Sequence, residues 1–171
     1  MADYLFSNFG FLAAIAMGSS PSFCQSKVLW VGIGCQRGTS RELIELAIQQ
    51  VCHNYHLPVG AIAGIATIDT KADEVGLIEL CQGQKWQLKT FSARILSSII
   101  VPNPSNIVAA EIATPSVAEA AAICATIKAE LLTTNYTNNL LVPKQIFRLE
   151  GQPGAVTVAI AFSEDIMIKI V

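Results

Sequence analysis

Gly32-Ile33-Gly34-Cys35-Gln36-Arg37-Gly38-Thr39-Ser40 stands between an apolar run and an amphipathic one. Before it, Val28-Leu29-Trp30-Val31 has the length and side chains of a buried strand. After it, apolar residues recur at Ile44, Ala47, Ile48, Val51 and Tyr55, the period of a helix. The order is therefore strand, glycine-rich turn, helix. Thr39 and Glu42 have the spacing of a capping box, which places the helix start near Thr39. A turn of this kind directs backbone N–H groups at a helix N-terminus, a setting that suits an anion. Arg37 adds a positive charge to the same loop. The competing reading is that the glycines only permit a tight turn.

The chain has 171 residues, enough for one domain with a substantial core. It is 52% hydrophobic and only 14% charged, so either both faces of a sheet are covered or part of the surface meets a partner. No apolar run reaches the ~18 residues of a membrane span. A net charge of −2 does not give the basic face that nucleic acid requires. Cysteines 24, 35, 52, 81 and 124 include no C-x-x-C pair, so neither a zinc site nor a disulfide framework is indicated, and a reducing cytoplasm is the expected setting.

Outward from the glycine stretch, the helix ends before Pro58. Cys52 and His56 have a spacing that could bind metal, but the histidines have a sufficient reading as cations at the negative helix end. No metal and no cofactor is implied. Ala61–Thr67 reads as a second, fully buried strand, completing a right-handed parallel βαβ unit. Ile68-Asp69-Thr70-Lys71-Ala72-Asp73-Glu74 follows, with Thr70 as expected N-cap of a helix running to Leu80. Lys71 would then be a cation at a helix N-terminus, mildly unfavourable unless it faces a ligand. Trp86–Phe91 alternates as a third strand, and Ser92 caps a short helix to Ser98. Val101-Pro102-Asn103-Pro104-Ser105 is a stiff turn. Asn106–Ile112 reads as one or two helical turns. Thr114-Pro115 starts an alanine-rich helix whose small face lets it lie close on a sheet. Leu140-Leu141-Val142 is a strand ending at Pro143-Lys144. The loop with Gly151, Pro153 and Gly154 leads into the last strand, Ala155–Ala161, which makes the final pair antiparallel. The expected fold is α/β, a three-layer α/β/α sandwich with a mixed, mostly parallel sheet of about five strands. Residues 1–26 are expected to be a loosely packed extension, 27–165 the domain and 166–171 a tail. The apolar stretch Phe9–Ala16 lacks the preceding basic residues of an export signal.

No catalytic set assembles from spacing. The glycines do not match the dinucleotide fingerprint, whose ribose-binding acid belongs about 20 residues on; Asp69, the nearest acid after the second strand, lies farther. No Gly-Lys-Ser/Thr occurs either. Cys35 would need a base, and His53 and His56 lie on the order of 20 Å down the helix. What remains is a binding geometry. Arg37, Lys71 and Lys144 each follow an expected strand, and the C-terminal ends of parallel strands share the edge where ligands bind. With Gly34, Cys35, Gly38, Thr39, Ser40, Asp69 and Ser92 they form the candidate binding set, a crevice suited to a ligand with several carboxylates. Three unrelated surface cations are the alternative.

Six motifs carry a resemblance, in this order: Gly32–Thr39, Ile68–Glu74, Phe91-Ser92-Ala93, Val101–Ser105, Thr114–Ala121 and Leu141-Val142-Pro143-Lys144. Over about residues 28–162 the chain resembles the CobE/CbiG C-terminal domain family of cobalamin biosynthesis. The resemblance implies a three-layer sandwich and, as ligand, a corrin-pathway intermediate rimmed with acetate and propionate arms. Full-length CbiG resembles a cobalt-precorrin-5A hydrolase, which opens a lactone and releases acetaldehyde, with a large N-terminal region that this sequence lacks. The expectation is an accessory or carrier protein for a polycarboxylate corrin intermediate. The alternative is the C-terminal half of a split hydrolase working with a separate N-terminal chain or another corrin-pathway enzyme.

Overall fold

The structure is a computed structural model that describes residues 27–103, 116–127 and 139–163. Strand β1, Leu29–Cys35, leads to helix α1, Arg41–Asn54. Strand β2, Ile62–Ile68, passes through a 3-10 turn at Asp69–Lys71 to helix α2, Val75–Gln84. Strand β3, Gln87–Phe91, is followed by the short helix α3, Ala93–Ser97, and then by α4, Val117–Thr126. Strands β4, Leu140–Phe147, and β5, Val156–Phe162, complete the sheet. The strand order is β3-β2-β1-β5-β4. β1 pairs with β2 and β2 with β3 in parallel, whereas β5 runs antiparallel to both β1 and β4. Only β5 therefore opposes the common direction, and the C-terminal ends of the other four strands share one edge.

Alternation along β1 assigns the layers. Leu29, Val31 and Ile33 pack with Leu43, Ile44, Ala47 and Ile48 of α1 and Leu77 and Leu80 of α2. Trp30 lies on the opposite face with Ala120, Ala121 and Cys124 of α4 and Leu96 of α3. Sheet, α1–α2 layer and α3–α4 layer make the three-layer sandwich. Ala118 and Ala122 of α4 meet Ala159 and Ala161 of β5, small residue against small. A Cβ on Gly32 would stand 1.8 Å from the Ala118 carbonyl oxygen and 2.9 Å from Ala122 Cβ. The alanine helix lies that close because Gly32 has no side chain.

Several local expectations are corrected. Gly32 and Gly34 belong to β1 rather than to the turn, and only Gly38 takes a left-handed φ, at 76°. Ser40, not Thr39, caps α1 by accepting from Leu43 N at 3.2 Å; Thr39 instead donates its hydroxyl to Gln36 O at 2.7 Å, closing the turn. Thr70 is not an N-cap, because the chain makes a 3-10 turn first and α2 starts five residues later, at Val75. Pro143 and Lys144 do not end β4. The strand continues to Phe147 through register shifts between Leu140 and Val142 and between Val142 and Gln145. Such irregularity accommodates a proline in an edge strand. The expected turns at 106–112, the Thr114-Pro115 cap, the 1–26 extension and the 166–171 tail lie outside the described residues. Among the described residues no helix is long and apolar enough to cross a membrane.

Candidate functional site

At the shared edge, where α4 begins over the ends of β1 and β2, lies a cavity of about 290 Å³. β1 contributes Gly34 and Cys35, β2 ends in its wall at Thr67 and Ile68, and Lys71 enters from the 3-10 turn. Ser116, Val117 and Ala118 of the α4 start form the roof, and Lys144 and Ile146 of β4 stand opposite. Ile146 is 61% exposed, giving the mouth an apolar rim. The irregularity in β4 has a consequence here, since it sets Lys144 in the cavity wall although the strand does not end there.

Two buried carboxylates organise the surroundings. Glu119, fully buried in α4, accepts Lys144 N at 2.9 Å, Asn103 N at 3.1 Å and Asn103 Nδ2 at 2.9 Å. Lys144 Nζ in turn donates to Asn103 O at 2.9 Å. One acidic side chain thus ties Asn103 and the edge strand to the helix. Glu74, 5% exposed, accepts Gly38 N at 2.8 Å and stands 4.0 Å from Lys71 Nζ and from the Arg37 guanidinium. The glycine turn does receive an anion, and that anion is the protein's own Glu74.

The ten candidate residues therefore divide. Gly34, Cys35, Lys71 and Lys144 line the cavity together. Arg37 does not; it is 60% exposed, paired with Asp73 at 3.0 Å, and also donates to Thr70 O. Its guanidinium holds the Asp73 carboxyl below the usual carboxylate range. Gly38 and Thr39 build the turn, Ser40 and Ser92 cap α1 and α3, and Asp69 is exposed in the 3-10 turn. The edge is also less cationic than the sequence suggests. Asp73 sits beside Arg37, Glu74 beside Lys71, and Glu119 under the Lys144 backbone.

Burial pushes the Cys35 thiol up from 9.0; Lys71 and a hydrogen bond from Thr39 pull it down, while Glu74 pushes it up. The thiol is therefore protonated near neutral pH and is not a primed nucleophile. His53 and His56 are exposed at the far end of α1, and no group of three His, Cys, Asp or Glu side chains able to hold a metal occurs among the described residues.

Sequence reading missed Ser116, Glu74 and Glu119 as determinants. Glu119 had a signal: it is the only charge in a ten-residue helix that is otherwise apolar or small on every side. Such a charge must be paired if the helix is buried all round. Ser116 had none beyond its place at the helix start.

A family model described as cobalamin synthesis G C-terminus matches residues 29–161, most of the chain and every described strand but for the last residue of β5. The chain belongs to the cobalamin synthesis G C-terminus family. A curated relative, the cobalt-precorrin-5A hydrolase of Priestia megaterium, is 35% identical over 82 residues, 48% of this chain and 22% of that protein. The aligned part is thus about a fifth of the relative's length. Among solved structures, CobE, a protein from the cobalamin (vitamin B12) biosynthetic pathway, superposes with a TM-score of 0.66 at 25% identity, covering 80% of this chain and 94% of CobE. The cobalamin biosynthesis protein chiG from Agrobacterium tumefaciens gives 0.55 at 26% identity, over 81% of this chain and all of that one. As a member of the CbiG/CobE family, the protein is one of cobalamin biosynthesis. Both structural relatives are matched almost from end to end, so this sandwich is the unit that the family shares.

Proposed function

We propose that this cobalamin-synthesis protein binds a polycarboxylate corrin intermediate at the C-terminal edge of its sheet and acts as a carrier or accessory protein. The observation that carries this reading is the cavity at the start of α4, where Lys71 of the 3-10 turn after β2 and Lys144 of β4 approach from different segments. A helix N-terminus and two ammonium groups suit carboxylate arms. The protonated Cys35 thiol and the distance of both histidines leave the carrier reading ahead of a self-sufficient hydrolase. The similarity to part of a cobalt-precorrin-5A hydrolase favours a second reading, in which the domain completes a hydrolase supplied by a separate N-terminal chain.

The two are separated by titrating the purified chain with cobalt-precorrin intermediates and assaying acetaldehyde, with and without a candidate N-terminal chain. The carrier reading expects saturable binding and no acetaldehyde in either case. Acetaldehyde only on adding the second chain establishes the split hydrolase. Acetaldehyde from the chain alone, or no affinity for any intermediate, overturns the proposal.

A further inference from the structure

Ser116 is 2% exposed, and its Oγ is buried without a hydrogen-bond partner among the described residues. It occupies the N-cap position of α4, yet accepts nothing from the first helical turn. A buried hydroxyl left unpaired is destabilising, so such groups are rare unless something outside the chain meets them. Ser116 lies in the wall of the cavity, beside the first residues of a ten-residue helix. Lys71 shares that wall with its side chain only 16% exposed; its contact is Glu74 at 4.0 Å, beyond hydrogen-bond range. Lys144 uses one of its ammonium hydrogens on Asn103 O. Donors are therefore to spare on three sides of one small space. The acceptors nearby are occupied: Glu74 holds Gly38 N and Glu119 holds three N–H donors.

Size decides what can enter. About 290 Å³ is at the bottom of the ~300–1,000 Å³ of pockets that enclose a drug-sized ligand, and a corrin macrocycle far exceeds it. We infer that the cavity is a subsite for the carboxylate of one short aliphatic arm, entering end-on, with Ser116, Lys71 and Lys144 as its donors. Rotation of Ser116 about χ1 turns its hydroxyl to the arriving oxygen, and the start of α4 adds its positive end. The body of the ligand stays outside, against the apolar rim at Ile146. This deepens the corrin-binding reading and rests on it for the identity of the natural arm; the carboxylate chemistry of the cavity stands on the donors alone.

The probe is propionate, with propionamide as the uncharged control of the same shape, on the full chain. Occupancy is read by protection of Cys35 from iodoacetamide at pH 9, mapped by peptide mass, and by calorimetric titration. Propionate is expected to protect saturably and propionamide not. Ser116→Ala and Lys144→Met are each expected to weaken propionate about tenfold, the loss of one hydrogen bond to a charged group. In the absence of propionate, Ser116→Ala is expected to raise Tm, since it deletes an unpaired buried hydroxyl; a serine needed only as a cap would lower it. Equal protection by propionamide, undiminished affinity in Ser116→Ala, or a lowered Tm in that variant overturns the subsite. Cobalt-precorrin binding that propionate does not displace and Ser116→Ala does not weaken would sink the subsite while sparing the corrin reading. Propionate protection without affinity for any corrin intermediate would do the reverse.

Discussion

Cys35 closes β1 with its thiol half buried in the cavity wall, flanked by Lys71, Glu74 and Thr39. Desolvation is the largest influence on it and disfavours the thiolate. Its alkylation is therefore expected to be slow at neutral pH and to rise only above 9.0, the ordinary value for a thiol. The charges around it fix the sign of two variants. Lys71→Met removes a cation that stabilises the thiolate, so the reaction at fixed pH slows. Glu74→Gln removes an anion that opposes it, so the reaction quickens. Rates of iodoacetamide labelling at Cys35, followed by mass spectrometry between pH 7 and 10, test both. Reaction faster than that of free cysteine at pH 7 would show an activated thiol and reopen the nucleophile reading. Spacing within the chain put Cys35 beside a helix start and far from any histidine. It gave no sign of Glu74, which comes from a loop 39 residues along the sequence. The competition that keeps the thiol protonated is therefore a tertiary property.

Among the elements, α4 is the most constrained. Its ten residues are all buried, its C-terminal end is met by Lys89, and its N-terminal end roofs the cavity. Lys89 Nζ donates to Ala125 O at 3.2 Å while lying 4.1 Å above the Trp30 ring. A cation at that end complements the helix dipole. Close approach to the sheet depends on Gly32, where an added Cβ would strike helix backbone rather than a flexible side chain. Gly32→Ala is expected to cost ~3 kcal/mol, the upper part of the overpacking range, and to lower Tm by roughly 10 °C. Thermal unfolding checks this, and a loss under 2 °C would mean that the helix yields freely. Gly34→Ala is the internal control, because its added Cβ meets only ordinary contacts at 3.6 Å and beyond. The small-residue pattern of α4 was legible in the sequence as a helix lying close on a sheet. The position it abuts was not, since both residues at 32 and 34 read equally well as turn glycines.

For the molecule as a whole, three buried thiols set an alkaline limit. Burial pushes Cys52 and Cys81 up to about 11 and Cys124 up to about 12. Above pH 9 the unfolded chain loses these protons while the folded chain keeps them, so unfolding is favoured progressively up to about pH 11 for Cys52 and Cys81 and about pH 12 for Cys124. Stability is expected to be full below pH 9 and to fall from pH 9 through 11 and on toward 12, with a shallower fall in Cys52→Ala and Cys124→Ala relative to their own neutral-pH values. Urea midpoints at pH 8, 9, 10 and 11 test it, and parallel curves for parent and variants would assign the alkaline limb to other groups.

Hydrophobic period and glycine and proline placement are local quantities, and from them the sequence by itself determined where five strands lie, the parallel βαβ start and the antiparallel final pair, while six ordered motifs carried the family. Local chemistry also singled out Lys71, just past β2, and Lys144, expected at the end of β4 but placed within it, and both line one cavity. Tertiary structure decided what those cations face. Arg37 swings out to Asp73, Glu74 fills the glycine turn, and the irregular edge strand carries Lys144 past its expected end. Glu119 became a three-donor anchor only when the Asn103 loop and β4 were folded against α4. Charge pairing and cavity shape depend on side chains brought together from distant segments, and a one-dimensional period carries no information about which charge will be neutralised by which.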